Sequence, residues 1–404
     1  MQSANDPVLS RPLAADRPSF PRLLYVASTK SQGGIERHSV ELAAALAGRG
    51  MAVRFACSPG SFVEEWCHKA GILTSALRVR NSGDLGAVWR LARLIQTERI
   101  GIIHVHSRRD FVVAVLGVAL ARRVLLCHTA LVLHAHMVRP LGDPARFSGR
   151  FFAWGADAVA AVSGTVRDRL LRDHLLPSEF VHLIPNGVPL EKFAQPGSDE
   201  AARRQLRARL SLEIPEGALV LGMIGRLDAK GQRQLLNVVP ELLQVCPALW
   251  IVLVGSEGKL GEQAVLGAQA KADGFGERVV FTGPRTDIPF LVTAFDVLVH
   301  LPDDEAFGLA LAEAMAAGLP TVATAVGGCC EVVQNGVTGV LVPPGDREAL
   351  VSALRRLLDP VQGRQIRTAL GRCGHLVAQE RFSQDVQIKR LESLYSMLCP
   401  TASL

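Results

Sequence analysis

The chain has 404 residues, too many for one compact core of common size, so two domains of roughly 200 residues each with a cleft between them are expected. Apolar residues make up 49% and charged residues 20%, which excludes a disordered or low-complexity protein. Residues 1–190 carry 23 Lys and Arg against 14 Asp and Glu and the remainder 21 against 24; that is either an ordinary solvated Arg-rich surface or one that meets an anionic membrane or a phosphorylated acceptor, and nucleic acid is not expected as a partner.

Met1 to Pro21 holds Pro7, Pro12 and Pro18 without apolar periodicity and reads as a flexible leader rather than a secretory signal. Leu23 to Ala27 then reads as a strand, Gly33-Gly34 as a tight loop, Glu36 to Ala47 as a helix stopped by Gly50, and Ala52 to Cys57 as the next strand. Ile102 to His106, the region of Val132 to His134, and Ala158 to Val162 supply later strands. The apolar run Phe111 to Ala121, flanked by arginines, is shorter than the ~20 residues that span a bilayer. Eight cysteines without a CxxC pair, several in core-like stretches, suit reduced thiols in a cytoplasmic protein.

Ile184-Pro185-Asn186-Gly187-Val188-Pro189 is dense in turn formers and reads as a linker, with an Arg- and Ala-rich helix from Gln195 to Leu212 beyond it. A second strand series follows: Leu219 to Ile224, Trp250 to Val254, Val279 to Thr282, Val297 to His300, Thr321 to Ala323 and Val340 to Val342. Short apolar runs alternating with amphipathic helices specify parallel sheets, hence two doubly wound α/β domains, residues 22–190 and 191–380, and a tail 381–404. In that tail Val386, Leu391, Leu394, Tyr395 and Leu398 share one helix face, which needs a surface to pack on.

The stretch from Glu305 to Glu313 carries the most specific chemistry. A strand ending near His300 leads into a helix starting around Gly308, and Gly318 with Pro320 stops it. That helix N-terminus lies at the carboxyl edge of the sheet, where free N–H groups and the dipole suit a phosphate. Glu305 and Glu313 can face one crevice, and carboxylates accept hydrogen bonds from sugar and ribose hydroxyls. Arg226 and Lys230, in Gly225-Arg226-Leu227-Asp228-Ala229-Lys230-Gly231 at the end of the domain's first strand, can neutralise a diphosphate from two sides; a surface Arg and Lys is the bland alternative.

With these motifs, Gly33-Gly34-Ile35-Glu36-Arg37, Ile184 to Val188 with Phe193, Gly255 to Gly258, Val280 to Gly283, Gly327-Gly328 with Glu331, and Gly336 to Gly339, the chain resembles the GT-B glycosyltransferases of family 4, or group 1, over residues 22 to 398. The resemblance implies two Rossmann-like domains facing across a cleft, and a retaining, metal-independent transfer of a hexosyl group from a nucleotide diphosphate sugar, such as a UDP-sugar, to a sugar or lipid-linked acceptor. Polysaccharide, lipopolysaccharide or glycolipid synthesis at the inner face of the membrane is the implied setting. Arg226 and Lys230 would hold the diphosphate, Glu313 the ribose, Glu305 the transferred sugar, and backbone near Phe307, Gly308 and Leu309 the phosphate and sugar. Gly33 and Gly34 would allow close approach to diphosphate or acceptor, backbone from Gly283 to Thr286 would meet the base, and one of His128, His134 and His136, with His134 preferred and then His136, would lie near the sugar. The last helix would cross back onto the first domain.

Asp303-Asp304-Glu305 looks like an acidic metal motif, but it precedes a phosphate-binding helix end, so neither metal nor cofactor is expected. Cys329 and Cys330 are expected to pack. Rival readings are a nucleotide-sugar epimerase, a phosphorylase, for which no lysine stands in a pyridoxal setting, and a silent scaffold, which has no use for the set Arg226, Lys230, Glu305 and Glu313. A nicotinamide dehydrogenase would show GxGxxG after the first strand, which is absent.

Overall fold

The computed structural model describes residues 21–30, 32–136, 144–193 and 213–399. Seven strands build the first domain: β1 (Leu23–Ala27), β2 (Val53–Cys57), β3 (Leu73–Ala76), β4 (Ile102–Val105), β5 (Ala130–Ala135), β6 (Ala158–Ala161) and β7 (Val181–Leu183). They form one parallel sheet in the order β3-β2-β1-β4-β5-β6-β7. Six more follow: β8 (Leu219–Ile224), β9 (Leu249–Val254), β10 (Val279–Gly283), β11 (Val297–His300), β12 (Thr321–Thr324) and β13 (Gly339–Val342), ordered β10-β9-β8-β11-β12-β13 and also parallel. Each order reverses at the domain's first strand, so the ligand crevices lie between the carboxyl ends of β1 and β4, and of β8 and β11.

Both sheets are covered on two faces, which is why their central strands are buried and largely apolar rather than alternating, with His104 and His134 as buried exceptions. In the first domain Val26, Ile103 and Leu131 pack against Leu91 and Ile95 of helix Leu85–Glu98 and Val115 and Val118 of helix Phe111–Arg123. On the opposite face Leu23, Tyr25 and Val132 meet Leu42 and Leu46 of helix Gly34–Gly48. That face is completed from the far end of the chain by Ile388, Leu391, Leu394 and Tyr395 of helix Gln384–Leu398. The two crossings between domains run side by side: the Val188 N–H donates to Phe382 O at 2.7 Å, and the Gln384 N–H donates back to Val188 O at 2.9 Å. A Cβ on Gly187 would lie 2.7 Å from Gln384 Cα, so only glycine permits this pairing.

Several elements depart from the sequence reading. Gly33 and Gly34 do not form a tight turn: Gly33 is the extended N-cap and Gly34 the first residue of the helix. β3 and β7 were not expected; both lie at sheet edges, and β3 is a half-exposed Leu-Thr-Ser-Ala without an apolar run. The leader and the helix expected from Gln195 to Leu212 lie outside the described residues. Cys329 is buried as expected, whereas Cys330 is exposed; none of the eight cysteines is paired. Among the described residues no helix is long and apolar enough to cross a membrane.

Candidate active site

Three glycines end adjacent strands of the second sheet and leave room for a ligand at its carboxyl edge. Gly255 N donates to Gly283 O at 3.0 Å, and a Cβ on Gly255 would lie 2.0 Å from Gly225 O. Gly225, at φ +138°, lies under Lys230, whose Cγ would be 2.7 Å from any Cβ there. Its absent side chain lets Lys230 turn inward, where Nζ donates to Glu305 Oε2 at 2.6 Å.

Glu305 accepts a second bond on that oxygen, from His300 Nε2 at 2.9 Å. Burial alone would push its carboxyl up, but the hydrogen bond from His300 and the Lys230 ammonium outweigh this and hold it well below the usual glutamate range. Burial lowers the His300 pKa, so its imidazole is neutral, and the proton must sit on Nε2 because an ionised carboxylate can only accept. Glu305 is thus a fixed anion, suited to orienting hydroxyls and badly suited to moving protons.

The Glu305 loop turns into helix Leu309–Ala316 at Gly308, whose φ of +92° favours glycine. Gly308 is therefore the N-cap, and the helix begins one residue later than expected, at Leu309. Glu313, on this helix, is buried and meets a partner from the opposite domain: the Arg37 guanidinium donates to Glu313 Oε1. Burial pushes the Glu313 carboxyl up, with Arg37 working against it. Arg37 Nε is buried without a protein partner, so the guanidinium still has a donor to give. A Cβ on Gly34 would come 3.8 Å from Leu309 Cδ2, so the first domain's helix start meets helix Leu309–Ala316 of the second domain.

Arg226 stands apart. Its side chain is 59% exposed and paired with Asp228 at 3.2 Å, so it occupies the rim rather than the floor. Phe307 turns its ring into the interior against Phe382, centroids 5.7 Å apart, leaving only its backbone to the cleft side. Asp304 does not converge with Glu305; it takes a bidentate pair from Arg169 at 2.7 and 2.9 Å, so the acidic triplet is split between two directions.

The structure places the three candidate histidines at different depths, with His134 and His136 both buried and each keeping one unpartnered ring nitrogen. His134 lies inside β5, fully enclosed by His104, His106 and His136, and reaches no cleft. His136 follows the last residue of the strand at the carboxyl edge, with Nδ1 unpartnered; His128 lies before β5, at the opposite edge of the sheet. Alternation along a strand puts His134 and His136 on one face, and sequence does not show which is deeper. At the first sheet's switch point Asp110 is also buried, but both its oxygens accept from Ser28, from N at 2.7 Å and from Oγ, so it braces the loop after β1. Arg37 and His300 were missed as site residues. Arg37 stood in the Gly-Gly motif and His300 five residues before Glu305, but their contacts join elements that sequence does not place together.

Comparisons with known proteins bear on the family and the fold. A model of glycosyl transferases group 1 matches residues 205–367, and one of Glycosyltransferase Family 4 matches residues 32–192. The chain is 35% identical over 249 residues to a D-inositol 3-phosphate glycosyltransferase of Salinispora tropica, covering 59% of this chain and 51% of that protein. It is 32% identical over 184 residues to a 2-deoxystreptamine glucosyltransferase of Streptomyces kanamyceticus, covering 44% and 45%. The chain thus spans about half the length of the curated relatives it matches. Among solved structures, HepE of Anabaena with UDP and glucose superposes with a TM-score of 0.80 at 23% identity, covering 93% of this chain and all of that one. A glycosyltransferase of Rickettsia africae gives 0.82 at 19%, covering 95% and 100%. With one family model on each domain and the same two-sheet fold in these structures, the chain belongs to the group 1, family 4 glycosyltransferases of the GT-B fold.

Proposed function

We propose that this protein is a retaining glycosyltransferase that moves a hexosyl group from a nucleotide diphosphate sugar to an acceptor hydroxyl. The observation that carries the reading is the meeting of Lys230, His300 and Glu305 beside the Gly308 helix end, with Glu313 and Arg37 closing the same crevice from both domains. The ribose would take Glu313 and the free donor of Arg37, the diphosphate would take Lys230, Arg226 at the rim and the N–H groups from Gly308 onward, and the sugar hydroxyls would take Glu305. HepE, solved with UDP and glucose, makes a UDP-sugar the first donor to try.

As the glycosidic bond breaks, negative charge grows on the leaving diphosphate and positive charge on the sugar ring. Lys230 and the helix end stabilise the first. Glu305, held ionised, steadies the second through the hydroxyls. Inversion would need a base on the acceptor side, and Asp110 is committed to Ser28. The departing phosphate oxygen would then take the acceptor proton. With Asp304 bound to Arg169, charge neutralisation falls to side chains rather than a metal. Proton NMR of product formed in excess EDTA should show the donor's anomeric configuration, and Glu305→Gln should lower turnover without rescue by azide. An inverted anomer, or a strict need for magnesium or manganese, contradicts the mechanism.

The acceptor would bind from the first domain. Around Arg123, whose guanidinium stacks 4.7 Å from the Trp154 ring, the side chains of Val124, Leu126 and Trp154 are exposed. Exposed apolar groups beside arginines suit the interface of an anionic membrane, which supports a lipid-linked acceptor on the cytoplasmic side. Vesicles containing anionic lipid should co-sediment the protein, and Arg123→Glu with Trp154→Ala should abolish this. Equal binding by that variant would point instead to a soluble acceptor, as the names of the inositol phosphate and 2-deoxystreptamine relatives suggest.

A further inference from the structure

We propose that Glu331 is a positioning residue: a latch that fastens the first domain to the loop carrying Glu305. The inference rests on the donor-site reading above and extends it to a residue that touches no substrate in that reading. Glu331 lies on the short helix Cys329–Val332 of the second domain, and its carboxylate crosses to the first. Oε2 accepts from Gly164 N at 2.7 Å; Oε1 accepts from Thr165 N at 2.7 Å and Thr165 Oγ1 at 2.8 Å. These are the first N–H groups of helix Gly164–Asp173, which have no partner within the helix, and an anion there also gains from the helix dipole. A Cβ on Gly164 would sit only 3.2 Å from Glu331 Oε2, so the approach is fitted to glycine.

Two more contacts from the same helix grip the donor loop on either side of Glu305. Ser163 Oγ donates to Ala306 O at 2.5 Å, and Arg169 clasps Asp304. The segment bearing Glu331 is in turn welded to that loop. Gly328 N donates to Glu305 O at 2.8 Å, and Cβ atoms on Gly327 and Gly328 would fall 2.2 Å from Glu305 O and 2.4 Å from Phe307 Cα. The two segments therefore move together. When helix Gly164–Asp173 docks, Glu331 and the residues flanking Glu305 are fixed in one act, and when the domains part all are released. The latch uses one carboxylate against N–H and O–H groups, so water can replace its contacts and it can cycle with each turnover. It thereby couples closure of the cleft to placement of the group that orients the donor sugar.

The test compares wild type, Glu331→Gln, Glu331→Ala and Thr165→Ala in the full chain. Donor affinity is read by calorimetry, turnover with kcat and KM separated, and domain spacing by small-angle scattering. Glu331→Ala should lower kcat by about 10- to 100-fold, the scale of an ångström-level misplacement, while donor Kd stays within threefold. Its radius of gyration should exceed that of wild type. Glu331→Gln, which keeps an acceptor oxygen, should recover part of kcat, and Thr165→Ala should reproduce the defect more mildly from the other domain. Unchanged kcat in Glu331→Ala, a parallel loss of donor affinity, or a lost kcat without expansion would each overturn the proposal. If wild type binds no nucleotide sugar, the donor reading fails, and the scattering comparison still decides whether Glu331 holds the domains together.

Discussion

Lys230 and Arg226 stand four residues apart in one motif, yet their surroundings differ, and so should the effects of removing them. Lys230 is turned inward onto Glu305, whereas Arg226 is more than half exposed beside Asp228. Lys230→Ala removes a charge-assisted contact worth ~2 to 4 kcal/mol and leaves Glu305 less well compensated, so turnover should fall roughly 30- to 1,000-fold. Arg226→Ala, at a screened rim position, should cost ~1 kcal/mol, or about fivefold. Steady-state kinetics on both variants checks the order, and a larger loss for Arg226 would place it on the floor of the site. Glu305 and Lys230 stood out in the sequence because each lies in a loop between a strand and a helix that glycines punctuate, and Glu313 because it follows in the helix begun at Gly308. Arg37 was not, because its role exists only once two domains meet. Depth within a strand was equally hidden: the sequence does not show that His134 is more enclosed than His136.

The element that binds the molecule into one piece is helix Gln384–Leu398. Most of its apolar stripe was readable from periodicity: Leu391, Leu394, Tyr395 and Leu398 pack on the first sheet as expected, with Ile388 rather than Val386 completing the face. Beneath it lies a pile of imidazoles that no periodicity announces. Tyr25 and Tyr395 share a hydrogen bond at 3.0 Å, Tyr395 meets His104, and His104 Nε2 pairs with His134 Nδ1 at 3.1 Å. His106 pairs with His136 at 2.9 Å, and His38 with Gln387 at 3.2 Å. Burial lowers all five histidine pKa values, His38 to about 4 and His104 to about 3, from an ordinary 6.5. A histidine depressed in the folded state is neutral there, while the unfolded chain takes up its proton below 6.5. The folded state is therefore favoured fully above that pH and loses ground as pH falls, at up to about 1.4 kcal/mol per histidine per pH unit. Urea midpoints should drop steeply between pH 6.5 and 4, and His38→Gln should flatten the slope; a midpoint independent of pH over that range would show the pile already solvated. The edge strands β3 and β7 escaped the sequence for the complementary reason: too short or too polar to show an apolar run, they are held by the neighbour they pair with.

At the scale of the whole molecule, the two sheets set their switch points toward a shared cleft, and the contacts across it converge on the donor-side helix and loop. Arg37 reaches Glu313, Ser163 reaches Ala306, Arg169 reaches Asp304, and residues 164 and 165 reach Glu331. Two parallel sheets were legible from alternating apolar runs and amphipathic stretches, and two domains facing across a cleft were expected; the individual polar contacts across that cleft were not legible, because they depend on single side chains at loop ends. The central claim is that the cleft is built for a nucleotide diphosphate sugar, held by Lys230 and Glu313. Thermal unfolding in the presence of a panel of UDP-, GDP-, ADP- and TDP-sugars tests it most directly, since a ligand at a hundred times its Kd adds about 2.7 kcal/mol of stability. One nucleotide sugar should raise the wild-type midpoint by several degrees while leaving Lys230→Ala and Glu313→Gln unmoved; no shift with any member of the panel, or an equal shift in both variants, would contradict it.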